Sequence, residues 1–359
     1  MRESGSAKGR GAAFNPPNRF EKTRRETIDI DVSYDDDAPP VRTTFYLDSS
    51  KTILARNDSP DLPFRYSINP YRGCEHGCIY CYARPSHEYL GFSAGWDFES
   101  KILVKMNAAQ LLEQTLQHKR WQPQIVACSG NTDCYQPVER RLHLTRQCLE
   151  VFLRYRNPVG LITKNALVVR DLDLLQEMTK YRLVHVMVSI TSLDAELVRT
   201  MEPRTSTPEK RLETIAMVAQ HGIPVGVNVA PIIPGLTDEE LPAILKAAAA
   251  HGAQSAGYIL LRLPGAVREL FVEWLQRTVP DRAGKVLNRI RDTRQGALSD
   301  ARFGTRLKGE GQIAATIRQL FTLNVHKYGL NNRWSGLSTE HFRRVSRETP
   351  NPDDQLPLF

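Results

Sequence analysis

No stretch of this chain comes near the roughly 18 consecutive apolar residues of a membrane span. The best run, VGVNVAPII, is short and broken by proline. The first twenty residues, MRESGSAKGRGAAFNPPNRF, contain no apolar core of a signal peptide. A cytoplasmic protein is therefore expected. No internal repeat at a solenoid period is present, and no compact run of like charge. Cysteines are few, six in 359 residues. In a reducing compartment that number argues against a disulfide framework, so clustered cysteines read as metal-binding or catalytic.

What is present is ordinary for a globular protein: 41% hydrophobic and 25% charged residues. The net charge is +8, and most of the excess lies late: from Asp281 onwards there are 14 Lys and Arg against 8 Asp and Glu. Such a bias fits a polyanionic partner or a solvated basic surface. Residues 1–60, rich in Gly, Pro, Arg and Asp and carrying the acidic run Asp35-Asp36-Asp37, are expected to be extended or poorly ordered. A core over 61–280, a basic and mostly helical extension over 281–349 and a tail over 350–359 follow.

Within the core, six apolar segments alternate with amphipathic ones. Strands are expected at 64–70, 125–129, 159–163, 183–190, 224–232 and 257–263, with helices between and after them. Thr207-Pro208 marks the start of one helix, with proline in the first turn where its missing N–H is harmless. Such a rhythm implies a parallel sheet covered by helices. Six right-handed units curve into most of a barrel, a partial (β/α)6 TIM-like fold, with a doubly wound open sheet as the alternative.

The stretch RGCEHGCIYCYARP follows the first strand. Its cysteines, Cys74, Cys78 and Cys81, are spaced C-x3-C-x2-C. Three thiolates on one loop hold three irons of a [4Fe–4S] cluster and leave the fourth iron open. Zinc would need a fourth ligand, for which His76 or His87 are the nearby candidates. An electron-transfer protein commonly fills all four positions with cysteine, and no fourth cysteine lies nearby. In parallel barrels chemistry gathers at the C-terminal ends of strands, where this loop falls. The other strand ends carry polar residues that suit a bound cofactor: Ser129, Asn131 and Thr132 after the second strand, Lys164 after the third, Ser189 and Thr191 after the fourth.

With Tyr80 just before the last cysteine, the motif on the first strand–helix connection of a six-unit α/β chain resembles the radical S-adenosylmethionine (SAM) superfamily, over roughly residues 64–277. The resemblance implies a [4Fe–4S] cluster on Cys74, Cys78 and Cys81, with S-adenosylmethionine on the open iron. It further implies that the methionine moiety meets Lys164 and the Ser129–Thr132 turn, and that Tyr80, Ser189, Thr191 and Arg204 help hold the cofactor. Val229, with Ala230 and Pro231, would flank the adenine, although this segment departs from the family's glycine–isoleucine spacing. Such enzymes need an electron donor, a flavodoxin or ferredoxin. The stretches SINPYRGCEHGCIYCYARPSHEYL, TDCYQPVERR and LITKNALVVRDLDLL are similar to the DNA-repair-photolyase-like group related to spore photoproduct lyase. By that similarity the substrate is expected to be DNA or a nucleotide, and Cys128 or Cys134 is a candidate hydrogen donor to the product radical. Two alternatives stay open: a protein or small-metabolite substrate, and a zinc-stabilised DNA-binding accessory without chemistry. Finally, QLPLF at 355–359 resembles the short peptide by which bacterial proteins dock on the DNA sliding clamp.

Overall fold

The computed structural model describes residues 9–20, 42–332 and 336–345. The QLPLF segment lies outside them. Ten strands occur in chain order: β1 Thr44–Leu47, β2 Leu54–Arg56, β3 Tyr66–Ile68, β4 Tyr71–Arg72, β5 Lys101–Val104, β6 Val126–Cys128, β7 Val159–Thr163, β8 Val184–Ser189, β9 Val225–Ile232 and β10 Ser255–Leu260. The main sheet has the order β10-β9-β8-β7-β6-β3-β2, and every neighbouring pair except β2–β3 is parallel. Its six parallel strands are the six expected from the apolar segments.

The order settles the architecture. A doubly wound sheet reverses direction at a switch point; here each parallel strand lies beside its predecessor, so the sheet curls one way into a partial barrel. The chemistry of the strands explains their place. The sequence VHVMVS of β8 is buried at every position, as a strand covered on both faces requires. Helices such as Ala108–Gln117, Leu144–Tyr155 and Pro208–Gln220 cover the outer face. The last begins as expected, with Thr207 accepting a hydrogen bond from the Lys210 amide at 3.3 Å.

The two sheet edges are not paired into a closed barrel. The C-terminal extension bridges them instead. The Leu260 amide of β10 donates to the Leu307 carbonyl at 2.9 Å. Nearby, the Gly304 amide and the Arg306 guanidinium both donate to the Asp61 carboxylate beyond β2, at 2.7 and 2.6 Å. Exposed strand edges are a liability, and this segment covers one of them.

Of the residue 1–60 segment expected to be extended or poorly ordered, residues 9–20 and 42–60 are described, and parts of them pack against the rest of the chain. Strands β1 and β2 lie within it, and β1 joins β5 and β4 in a second, three-stranded sheet. Further upstream Arg10, Ala12 and Ala13 are buried. The Gly11 and Ala12 amides donate to the two oxygens of the buried Glu99 carboxylate at 3.0 and 2.9 Å. Gly11 lies so close to the cysteine loop that a Cβ there would stand 1.9 Å from the Gly77 carbonyl oxygen.

Two histidines make the core sensitive to acid. His87 and His185 are buried, and burial holds both down at about 4. Unfolded histidine titrates near 6.5, so between pH 4 and 6.5 the unfolded chain binds more protons than the folded one. Stability is therefore fully present above about pH 6.5 and falls as the pH drops through that window, by about 1.4 kcal/mol per pH unit for each histidine. Urea midpoints at pH 7 and pH 5 check this: the midpoint should fall at pH 5, and His87→Gln should fall less. A midpoint unchanged between the two pH values contradicts the assignment.

Candidate cofactor pocket

The C-terminal ends of the parallel strands open into one pocket of about 210 Å³. The loop after β4 forms one side of it, and all three of its cysteines reach the lining. Two glycines make the loop possible. Gly73 and Gly77 have φ of +79° and +66°, and a Cβ at Gly73 would lie 2.9 Å from the Phe98 carbonyl. The buried Arg84 then fixes the loop from behind. Its guanidinium donates to the carbonyls of Cys78 at 3.0 Å and Gly77 at 3.2 Å, and it is ion-paired to Glu99. Glu99 thus ties Arg84 and the N-terminal segment to the same loop.

The donor set fits a multi-iron cluster. Burial pushes up the thiols of Cys74, Cys78 and Cys81. Such sulfurs ionise when a cation takes them as thiolates. Among the described residues no three His, Cys, Asp or Glu side chains converge on a point that could hold one metal ion. Ligands of a cluster each address a different iron.

Side chains of both signs line the pocket beside the cysteines. Lys164 follows β7, its ammonium 5.9 Å from the Tyr80 ring centroid. Asp133, on the turn after β6, also lines the pocket. Burial alone would raise the Asp133 carboxyl. His76, at 3.4 Å, and hydrogen bonds from the Lys164 and Tyr135 amides hold it down at about 2. His76 in turn shares a hydrogen bond with Asn165 at 3.1 Å. A cation and a carboxylate lining one pocket suit a ligand that carries both an ammonium and a carboxylate. The turn itself is rigid: Ser129 has φ +82°, and Asn69 accepts from the Asn131 and Thr132 amides at 2.9 and 3.1 Å. Ala230, Pro231, Ile259 and Leu260 supply an apolar wall.

Beneath the pocket, Glu202 is fully enclosed. It accepts from the hydroxyls of Tyr80 and of Thr191, the latter at 2.6 Å, and is ion-paired to the buried Arg211. Burial would raise this carboxyl too, but Arg211, then Lys164, keep it at about 2.

Of the residues singled out from sequence, Cys74, Cys78, Cys81, Tyr80, Ser129, Asn131, Thr132, Lys164 and Ser189 meet in this pocket. Five do not line it. Thr191 is buried behind Tyr80, their hydroxyls 3.2 Å apart, and Val229 belongs to the apolar core. Arg204 opens into a second, polar pocket with Arg140 and Lys210. It pairs at 3.3 Å with Glu75, rather than with Glu202 or Glu209. Cys128 and Cys134 are 1% and 0% exposed, touch each other and pack into the core under the floor. Their apolar surroundings on β6 explain that placement. Asp133, Tyr82, Asn228 and Arg262 line the pocket without having been singled out, as does His76, which was named only as a candidate zinc ligand. Arg262, two residues past β10, obeys the same strand-end rule that revealed Lys164, and Tyr82 directly follows Cys81, whereas Asn228 lies within β9 and Asp133 five residues beyond β6.

Comparison with known proteins agrees with this geometry. The description of the Radical SAM superfamily matches residues 68–248. An uncharacterized protein of Mycobacterium tuberculosis is 41% identical over 222 residues, 61% of this chain and 65% of that protein. One from Methanocaldococcus jannaschii is 31% identical over 176 residues, 49% of this chain and 63% of that one. The chain thus spans less than two thirds of the length of these relatives. Among solved structures, a mutant of spore photoproduct lyase is similar with a TM-score of 0.54 at 16% identity, covering 79% of each chain. The same enzyme complexed with dinucleoside spore photoproduct is similar with the same TM-score at 15% identity, again over 79% of each. At that identity the likeness is one of fold.

Proposed function

Because the chain belongs to the radical SAM superfamily, whose cofactors are a [4Fe–4S] cluster and S-adenosylmethionine, we propose that it is an enzyme that takes a hydrogen atom from DNA or a nucleotide-like substrate. The observation that carries this reading is the convergence of three thiols, Lys164 and Asp133 on one strand-end pocket. The fold likeness to spore photoproduct lyase and the basic C-terminal extension favour a nucleic acid over a protein or a small metabolite.

When bound, the two cofactors supply one electron and a 5′-deoxyadenosyl radical, with methionine released and 5′-deoxyadenosine formed once hydrogen is taken. The chain's own residues bind and orient. Cys74, Cys78 and Cys81 hold three irons. Lys164 would meet the methionine carboxylate, while Asp133 and the Ser129–Thr132 turn would accept from its ammonium. Burial, then Glu202, keeps the Tyr80 hydroxyl protonated, so it stays a donor. The apolar wall of Ala230, Pro231, Ile259 and Leu260 excludes water from the reacting centre.

The test is anaerobic. Protein reconstituted with iron and sulfide, then reduced, is given S-adenosylmethionine and assayed for 5′-deoxyadenosine with and without DNA. We expect product in both cases and several-fold more with DNA. Product that DNA does not enhance would move the substrate to another class; none at all, with the cluster loaded and reduced, would sink the enzyme reading.

A further inference from the structure

Several cations surround the last strand of the sheet, and most have structural work. Arg294 donates to the Leu261 and Thr305 carbonyls at 2.8 and 2.9 Å. Lys308 donates to the Tyr258 carbonyl at 2.9 Å. Arg306 is held by Asp61, and Arg302 by Asp300 and Glu310. Arg262, two residues past β10, is different in making no hydrogen bond among the described residues, whereas Arg294, whose buried Nε also lacks a partner, is held by its two carbonyls. Arg262 lines the pocket, yet among the described residues no carboxylate lies within ion-pair distance of it, and its buried Nε has no hydrogen-bond partner. Asp61, the acid that acts on it, is engaged by Arg306, whose own charge opposes that of Arg262. A half-buried cation without a counter-ion is costly unless an outside anion completes it.

The surroundings indicate which anion. The Arg262 guanidinium lies 5.6 Å from the ring centroid of Tyr82. Tyr82 is 47% exposed, and its hydroxyl is fixed on the Gly130 carbonyl at 2.7 Å, so the ring stands as a fixed platform at the mouth. Phe64 and Leu62 complete an apolar rim there. A phosphate beside a stacked base matches this pairing of guanidinium and aromatic face. The cofactor's own carboxylate already has Lys164, deeper and next to the cysteines.

We propose that Arg262 is the phosphate-binding residue of the substrate subsite, holding a backbone phosphate of a nucleic acid strand whose base stacks on Tyr82 as it enters the pocket. A base reaches such a pocket from a single strand or by leaving the duplex stack. This inference rests on the nucleic-acid reading above.

The experiment uses the full chain with its cluster loaded, under anaerobic conditions. Binding of fluorescent (dT)8 and (rU)8 is followed by anisotropy from low to moderate salt, for wild type, Arg262→Gln and Arg262→Lys. Cluster absorbance and circular dichroism confirm that each variant is loaded and folded. For Arg262→Gln we expect about ten-fold weaker binding. The slope of log affinity against log salt should fall by about 0.7, one phosphate fewer on a single strand. Arg262→Lys should keep the slope and lose less affinity. The strand that wild type binds more tightly identifies DNA or RNA as the source of the phosphate. If Arg262→Gln binds both strands with wild-type affinity and slope, the assignment of Arg262 is overturned while the substrate class stands. If wild type forms 5′-deoxyadenosine but binds neither strand, the nucleic-acid reading fails and this inference falls with it.

Discussion

Replacing Cys78 by alanine should abolish 5′-deoxyadenosine formation, to the level of a no-enzyme control, and leave the fold standing. The separation of the two effects follows from how the loop is held. Its path depends on backbone contacts: Arg84 grips the Cys78 and Gly77 carbonyls, the Ile79 amide donates to the Met201 carbonyl at 2.9 Å, and the Cys81 amide donates to the Cys78 carbonyl at 3.1 Å. None of these involves the sulfur. The buried thiol contributes packing comparable to one small apolar group, so its loss costs about 1 kcal/mol before any metal is considered. What disappears, on the proposed assignment, is one of three cluster ligands. Iron per chain, the visible absorbance of the reconstituted protein and 5′-deoxyadenosine yield should fall together, while the far-ultraviolet circular dichroism stays that of wild type. Retention of product by the alanine variant would remove Cys78 from the cluster and with it the three-cysteine site.

The second large effect is expected at Glu202. Changing it to leucine leaves the fully buried Arg211 with its carbonyl partners, Ser189 and Ser206, and no counter-charge. It also removes the acceptor of the Tyr80 hydroxyl. Breaking a buried pair by deleting one member costs about 3–5 kcal/mol, because the remaining charge is stranded. Glu202→Leu should therefore unfold at a clearly lower urea concentration than wild type. Removing both charges in Glu202→Leu/Arg211→Met should recover part of the loss, since the pair's desolvation penalty goes with it. A double variant as unstable as the sum of the two singles would show that the carboxylate and the guanidinium act independently. Because Glu202 stays ionised down to about pH 2, the cost should be the same at pH 6 and pH 8.

These two sites differ in how they could be read from sequence. Cys78 announces itself, since three cysteines within eight residues have few bland explanations. The six parallel strands are equally legible, because burial on both faces demands continuous apolar segments such as VHVMVS and VGLIT. Lys164, Ser129 and Ser189 follow once strand ends are located. Glu202 does not: it lies in MEPRTS, a stretch that reads as a polar turn, and its meaning comes from Tyr80, 122 positions away. Asp133 is hidden in the same manner, its role set by His76. Arg204 is on the right segment, but its side chain turns to Glu75. The described part of the N-terminal segment is the instructive case. RGAAFNPP carries the small and turn-forming residues of a disordered tail, yet what it buries is backbone. Two amides seat on Glu99, and Gly11 must lack a side chain to lie on Gly77. Composition records the missing side chains and not the close approach that needs them.

The bridge from Asp61 to Gly304 has a consequence for how the protein is made. Its two ends are 243 positions apart. At ribosomal speeds of about 5–20 residues per second, some 12–50 s separate their emergence. The cysteine loop is therefore synthesised early, and β10 with Arg262 arrives only after most of the chain has left the ribosome. Until then the three thiols lack a wall. Metal that loads during translation meets a sheet still lacking its last strand, and metal that loads afterwards meets the completed pocket that Tyr82 and Arg262 line.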